Sequence, residues 1–427
     1  MNVVVFEDPR VERLGVVVAA RPACDLLLGS QSLVEALAHF GPVRRAVRPH
    51  LARHLELLAG ERVALWGGSP DAPPQPAVSR HGAVALLVNA RVVPSRENLA
   101  ALRGLVEAGR RAAVRSGGSL AAALLHLAPD GGGPDRRVFD ELASLGAGAT
   151  AAIESLRLPE IDGAIDLLIE QHDVVSAHER AIEGSLAARI DSGGYREIRP
   201  GLFVAAGAAV ADMVVVRRGP VVVEAAAEIG PFVCLDGPVW IGPEARVNPH
   251  AWLRGGAAIG RGCRVGGEVE AAVLEPFSNK AHDGFLGHSH VGSWTNLAAG
   301  TITGNLKTTY GPVRLHEPLP GGGVETTHTG RQFLGAMIAD LVKVSINTSL
   351  PCGARIGVAA TIGGDVPESV PPFHNMLVGG PGGSRSTPEQ AATILGRMMS
   401  RRGLAASPAD ESLLAALAAT LPRAASR

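Results

Sequence analysis

Aromatic side chains are scarce in this chain, at 4% of its residues, although 46% are hydrophobic. A core built mainly from large rings is therefore excluded, and small aliphatics must fill the interior. Cysteine is nearly absent: Cys24, Cys234, Cys263 and Cys352 are scattered, and none stands at Cys-x-x-Cys spacing. That argues against a thiolate zinc site or a disulfide framework, and the four read as small buried hydrophobes in a reducing cytosol. No apolar run approaches the roughly 18 residues that span a bilayer. The first residues, MNVVVF, lack a basic region and a small-residue cleavage site. The expected location is the cytoplasm, with no membrane partner. Charge of one sign is lacking too. Forty basic side chains meet 41 acidic ones, for a net charge of −1, and no block of like charge marks a tail. No nucleic-acid partner is expected.

What is present is a period of six. Ile229, Leu235, Ile241, Val247, Leu253, Ile259 and Val265 are spaced by six residues. That spacing fits neither an α-helix nor an ordinary strand. It is the signature of a hexapeptide β-helix, in which three hexads make one triangular coil and the aliphatic residue points inward. Upstream, Ile198, Val204, Val210, Val216 and Val222 keep step, and then one residue is inserted. Downstream, Phe285, Val291 and Leu297 resume after a shift of two. Ile338, Val344, Leu350, Ile356 and Ile362 form a further set. Glycine follows several of these positions, as at Gly230, Gly242, Gly260 and Gly292, and is expected to turn the corners with positive φ.

The repeats occupy 195–375. Residues 1–185 differ: Val3–Phe6 and Ala83–Val88 read as strands, and Ser32–Phe40, His50–Leu58 and Glu97–Ala108 as helices. The alternation predicts an α/β domain with a mostly parallel sheet. A polar helix over Ile165–Ile190 is expected to connect the two parts. Loops fall at Gly67–Pro74 and Gly131–Pro134, and a long excursion at Asn305–Arg331 should project from the β-helix. Residues 376–427 read as a helical tail. Thr387-Pro388-Glu389-Gln390 and Ser407-Pro408 open its helices, which should pack on a neighbouring coil or subunit.

The most polar stretch of the repeats is Ser278-Asn279-Lys280-Ala281-His282-Asp283-Gly284-Phe285-Leu286-Gly287. Gly300-Thr301-Ile302-Thr303-Gly304-Asn305, Thr329-Gly330-Arg331 and Ile346-Asn347-Thr348-Ser349 follow it. Together these resemble the bifunctional glucosamine-1-phosphate acetyltransferase/N-acetylglucosamine-1-phosphate uridylyltransferase family, and most closely its alternative bacterial and archaeal branch. The resemblance implies a left-handed β-helix, a homotrimer with sites between subunits, and acetyl transfer from acetyl-CoA to an amino sugar 1-phosphate in nucleotide-sugar synthesis. It assigns His282 as general base, a role suited to an imidazole near neutral pH. It assigns Arg254 and Lys280 to the sugar phosphate. Asn296 and Asn305 would hold the sugar and acetyl group. Backbone amides at Ala299, Ser345 and Ala360 would hold the coenzyme. No metal is expected in the β-helix.

Some positions depart from the family. The family's lysine upstream of the histidine is missing, and Glu270 lies in that region. Phe285 stands where tyrosine is common. In the N-terminal half, Glu7-Asp8-Pro9-Arg10 replaces the Gly-rich phosphate loop that should follow the first strand. Arg91 occupies the position of a Mg²⁺-binding aspartate, which leaves Asp8 or Asp71 as substitutes. The reading is a nucleotidyltransferase-like domain with a degenerate site, where Mg²⁺ enters only if the domain is active. Removal of about residues 1–185 should then spare the acetyl-transfer chemistry, provided the coils remain capped and soluble. Full bifunctionality, a non-catalytic oligomerising β-helix, and a zinc-dependent γ-type carbonic anhydrase using His250, His282, His288 or His290 are the alternatives. The last suffers from a six-residue gap between His282 and His288 where that family has five.

Overall fold

The computed structural model describes residues 1–58, 84–128, 132–144, 149–161, 163–318, 323–379 and 382–421. Gly67–Pro74, Asp71 and Gly131 lie outside them. In the N-terminal part, strands β1 (Asn2–Phe6), β2 (Val43–Ala46), β3 (Val84–Asn89), β4 (Ala112–Ser116), β5 (Ser119–His126) and β6 (Glu160–Ile161) form one sheet in the order β2-β1-β3-β5-β4-β6. The sheet is mixed, because β5 runs antiparallel to both β3 and β4. The cause is local. Gly117 and Gly118 both take positive φ (54° and 74°) and fold β4 straight back into β5 as a hairpin. Helix α1 (Leu33–Leu37) begins with a capping box between Ser32 and Glu35, and α2 (Pro49–Leu58) and α3 (Arg96–Ala108) lie where the sequence puts them.

The connecting helix is not a polar tether. It spans Asp173–Asp191 and buries Val174, Val175, Ala177, His178, Ala181, Ile182, Ser185 and Leu186. One side meets the α/β core. The other packs Ile182 and Leu186 against Val222, Trp240, Ala258 and Val273 of the β-helix. His178, fully buried, accepts from Gly29 N–H at 3.0 Å and reaches Gly256 O at 2.6 Å.

The β-helix runs from Leu202 to Asn375 as parallel strands on three faces, the third carried by a five-stranded and a two-stranded sheet, and Tyr195–Arg199 joins its start antiparallel. One face, a ten-stranded sheet, docks on the N-terminal part. Its inward column is Val204, Val223, Ile241, Ile259, Leu274, Val291, Ile338, Ile356 and Val370. Each such side chain taken out of water contributes on the order of 1.5–3 kcal/mol. Two expected positions shift. Val223, not Val222, points inward, since the extra residue falls earlier, at the register shift between Val216 and Arg218. Leu286, not Phe285, stacks on Val269. The turns after Val265 and Val269 are short, so the phase slips by three residues rather than two.

The glycines act differently from the expectation. Gly230, Gly242, Gly260 and Gly292 have ordinary φ; the left-handed residue comes two places later, at Phe232, Glu244, Gly262 and Trp294. Glycine is required because the next coil passes too close. A Cβ on Gly260 would lie 2.6 Å from Leu274 O, and one on Gly292 2.5 Å from the Ala339 carbonyl carbon.

The Asn305–Arg331 excursion is a hairpin of Arg314–Pro318 and Val324–His328. It also folds back. Val313 and Leu315 join the N-terminal core, and Arg331 pairs with Glu179 (2.7 Å) and Ser176 (2.6 Å) on the connecting helix. The tail forms helices Pro388–Ser400 and Pro408–Ala419, the first capped by Thr387 and Gln390. The second packs on α2, where His54 bonds Ala409 O at 3.0 Å. No helix among the described residues is long and apolar enough to cross a membrane.

These contacts bear on the condition that the coils stay capped and soluble without residues 1–185. Their removal would expose Val222, Trp240, Ala258 and Val273 and leave Glu275 and Asp340, buried partners of Arg21, without a cation. Breaking a buried ion pair costs roughly 3–5 kcal/mol. A fragment of 186–427 is expected to be insoluble or to melt well below the full chain. A thermal melt followed by circular dichroism checks this.

Candidate active site

A second face of the β-helix carries an outward ladder, with one residue preceding each inward side chain. Arg246, Arg264, Asn279, Asn296, Lys343 and Thr361 pair from coil to coil. The helix Pro388–Ser400 lies opposite and encloses a pocket of about 680 Å³, within the usual range for small-molecule sites. Five cationic side chains line it: Arg264, Lys343, Arg397, Arg401 and Arg402. No carboxylate does so among the described residues. Arg402 donates to Asn279 at 2.7 Å. One wall is a stacked pair, Phe277 and Trp294, with centroids 4.7 Å apart. Such a pocket suits an anion with an apolar body.

Of the residues expected from sequence, His282, Asn296 and Ala299 line this pocket. His282 is exposed at the corner after Lys280, and no hydrogen bond joins it to Asp283 among the described residues. Ser345 lies beside Ile346, which lines the pocket, but its N–H is already bonded to Ile362 O at 2.8 Å. Ala360 is fully buried and its N–H donates to Gly357 O at 3.3 Å. The ladder that builds the coils thus uses both amides meant for the coenzyme.

Three further residues stand apart. Lys280 points into the prism, 1% exposed, in rung with Val265. Its ammonium donates to Gly266 O and His282 O, both at 3.0 Å, so it anchors the main chain of His282 rather than a phosphate. Burial lowers its pKa to about 8. Arg254 lies on the third face. It bonds Glu268 at 2.9 and 3.0 Å, pairs with Glu270, and stacks over Trp252 at 4.7 Å. Its charge is already met. Asn305 approaches His288 Nδ1 at 3.0 Å, next to Glu179 and Phe333.

Sequence reasoning missed Arg264, Lys343 and the arginines of the tail. The first two carried a signal, since each precedes an inward aliphatic as Asn296 does. Lys343 donates to Leu341 O at 2.7 Å and Trp294 O at 2.9 Å, and burial lowers its pKa to about 7. The tail arginines enter only through tertiary packing.

The histidines do not converge on a metal. His250 stacks on Phe232, His288 faces Asn305, and His290 is buried 3.1 Å from Glu275. No cluster of three His, Cys, Asp or Glu side chains among the described residues could hold an ion.

In the N-terminal part, Arg91 is fully buried. It binds Asp8 at 2.6 and 2.8 Å, Ser119 at 2.9 Å and Leu168 O at 2.7 Å, while Asn89 donates to Asp8 at 3.0 Å. Of the two carboxylates expected as substitutes, Asp8 is neutralised by Arg91, and Asp71 lies outside the described residues. These residues do not fit Mg²⁺. Glu7 is likewise engaged, by Arg48 and by Ala23 N–H at 3.0 Å.

Residues 3–190 match the family model described as a sugar nucleotidyl transferase. A bifunctional protein GlmU from Methanococcus vannielii is 33% identical over 96 residues, 22% of this chain and 22% of that protein. One from Rippkaea orientalis is 42% identical over 66 residues, 15% of this chain and 14% of that protein. The aligned stretches thus span a quarter or less of these relatives. The expected likeness to the bifunctional family holds. A mutant of AntD, an N-acyltransferase from Bacillus cereus solved with dTDP and coenzyme A, aligns at 15% identity and a TM-score of 0.20, covering 40% of this chain and 77% of its own. A similarity that low carries no inference about this protein.

The buried ammonium of Lys280 gives a pH test. Its folded pKa, about 8, lies below the ordinary 10.5. Between those values the unfolded chain holds more protons, so stability rises with pH across that window, and below about 8 the full cost of burial is present. Relative to Lys280→Met, the wild type should gain stability from pH 8 to 10.5, by up to about 1.4 kcal/mol per pH unit. Urea unfolding at stepped pH reads this; parallel pH curves would refute it.

Proposed function

We propose that this protein is an acetyl-CoA-dependent N-acetyltransferase acting on an amino sugar 1-phosphate, in nucleotide-sugar synthesis in the cytoplasm. The observation that carries the reading is the pocket, where an exposed imidazole adjoins five cations, an aromatic wall and no carboxylate. Acetyl-CoA has a matching form: a polyphosphate, a flat base and an apolar arm that ends in the thioester. The sequence around His282 and the likeness to the bifunctional family support the same assignment.

In this reading the amine attacks the thioester carbonyl. The N–C bond forms and the C–S bond breaks, and His282 takes the proton lost by the amine and returns it to the departing thiolate. Asn296 orients the reacting groups, and Arg264, Arg397 and Arg401 hold the donor's phosphates. Lys280 fixes the main chain that carries the imidazole. Arg254 and Asn305 face away from the pocket of their own chain. In a homotrimer they would serve the acceptor site of a neighbour, and the acceptor would then be bound between subunits.

The N-terminal domain is not assigned uridylyl transfer, because Arg91 and Asp8 satisfy each other where a cation is needed. Substitution of His282 by alanine should lower acetyl transfer by about 10²-fold or more, the usual scale for a general base, while acetyl-CoA still binds. A thiol-release assay with glucosamine 1-phosphate, paired with equilibrium binding, measures both. Unchanged turnover would remove His282 from the chemistry.

A further inference from the structure

One arginine of the N-terminal domain reaches three successive coils of the β-helix. Arg21 is fully buried. It forms ion pairs with Glu275 (2.7 Å) and Asp340 and donates to Ser293 Oγ at 2.8 Å. Burial disfavours its charge, but Asp340 and Glu275 outweigh that and hold its pKa above the ordinary value. Glu275, Ser293 and Asp340 share one corner of the prism. They follow Leu274, Val291 and Ile338, which are rung partners. Asp340 also accepts from Ser293 N–H at 2.6 Å, and Leu27 N–H and His290 complete the shell of Glu275 at 2.9 and 3.1 Å.

Two of the residues that leave this corner, Phe277 and Trp294, line the candidate pocket. Phe277 comes two after Glu275, Trp294 one after Ser293, and Leu341 one after Asp340. All three take left-handed φ, at 64°, 56° and 65°, as Phe232 and Glu244 do at corners that Arg21 does not touch, so the turn itself sets that conformation. Trp294 N–H donates to Pro276 O at 3.3 Å and Leu341 N–H to Ser293 O at 2.9 Å. The carbonyls of Trp294 and Leu341 receive the ammonium of Lys343. The clamp therefore lies on one side of a corner and the aromatic wall with Lys343 on the other.

We infer that Arg21 is a positioning residue for the pocket, and that the N-terminal domain serves as its brace. The idea that the pocket takes acetyl-CoA rests on the proposed function; the mechanical link does not. Arg21 is aimed into the β-helix and paired there. The fork of its guanidinium can bind two carboxylates and a hydroxyl at once, which an ammonium cannot do with the same rigidity.

The test uses the full chain. Arg21→Met alone leaves two buried carboxylates unpaired and risks misfolding, so the main variant is Arg21→Met/Glu275→Gln/Asp340→Asn, which removes all three charges together. Arg21→Lys is the second variant, keeping the charge without the fork. Hydrogen exchange at the amides of Trp294 and Leu341 should quicken by about tenfold or more in the triple variant, and less in Arg21→Lys. The dissociation constant for acetyl-CoA should rise at least several-fold, in the same order. If the triple variant does not fold, Arg21→Lys decides by the same two readouts. Unchanged exchange overturns the brace, and so does faster exchange with unchanged affinity. If the wild type binds no acetyl-CoA, the functional reading fails and exchange alone decides the brace.

Discussion

Backbone stacking at near-contact distance is the constraint on which the structure depends. Each coil passes so close to the next that Gly242, Gly260 and Gly292 cannot carry a Cβ, and the parallel ladder leaves few amides unpaired. Such a scaffold tolerates little local freedom, so chemistry arises where the count of six breaks. The break follows Val265. Shortened turns bring Val269 and Leu274 into the interior early, and the next inward position is a lysine. The ammonium of Lys280 fills the corner by bonding two carbonyls, one of them that of His282. An irregularity in the repeat thereby presents an imidazole on a rigid edge.

The N-terminal domain has exchanged one kind of polar network for another. A nucleotidyltransferase needs free carboxylates for a metal and free amides for phosphates. Here Asp8 is held by Arg91 and Asn89, and Glu7 by Arg48 and Ala23. Its polar groups instead face the β-helix, through Arg21, His178 and Arg189, the last paired with Glu224 at 3.1 Å. Together with the apolar contact of Ile182 and Leu186, they make the two halves one packed unit. Buried pairs of this kind give orientation more surely than they give net stability.

The β-helix was readable because its period is set by backbone geometry, and the inward set from Ile229 to Val265 is buried throughout. The phase at Val222 and Phe285 was not, since an inserted or dropped residue can be counted from sequence but not located within a turn. The helix expected over Glu97–Ala108 is present as Arg96–Ala108, with Ser95 capping its first turn. The antiparallel β5 was missed although Gly117-Gly118 announced it. Of the residues expected from the local motif, His282, Asn296 and Ala299 line the pocket. The motif could not reveal that Lys280 turns inward, that the Ser345 and Ala360 amides are already bonded, or that Arg397 and Arg402 arrive from a helix far along the chain. Those facts belong to long-range packing, which a spacing rule does not contain.

The central claim is that the cationic pocket between the β-helix and the helix Pro388–Ser400 receives the acyl donor. Its most direct test is calorimetric titration of acetyl-CoA into the wild type and into Arg264→Ala/Arg397→Ala at two salt concentrations. Charge-assisted hydrogen bonds contribute roughly 1.5–3 kcal/mol each. The account predicts micromolar-class binding that weakens with salt, and a loss of about tenfold or more in the variant. Equal affinity in the two proteins, or no binding by the wild type, would contradict it.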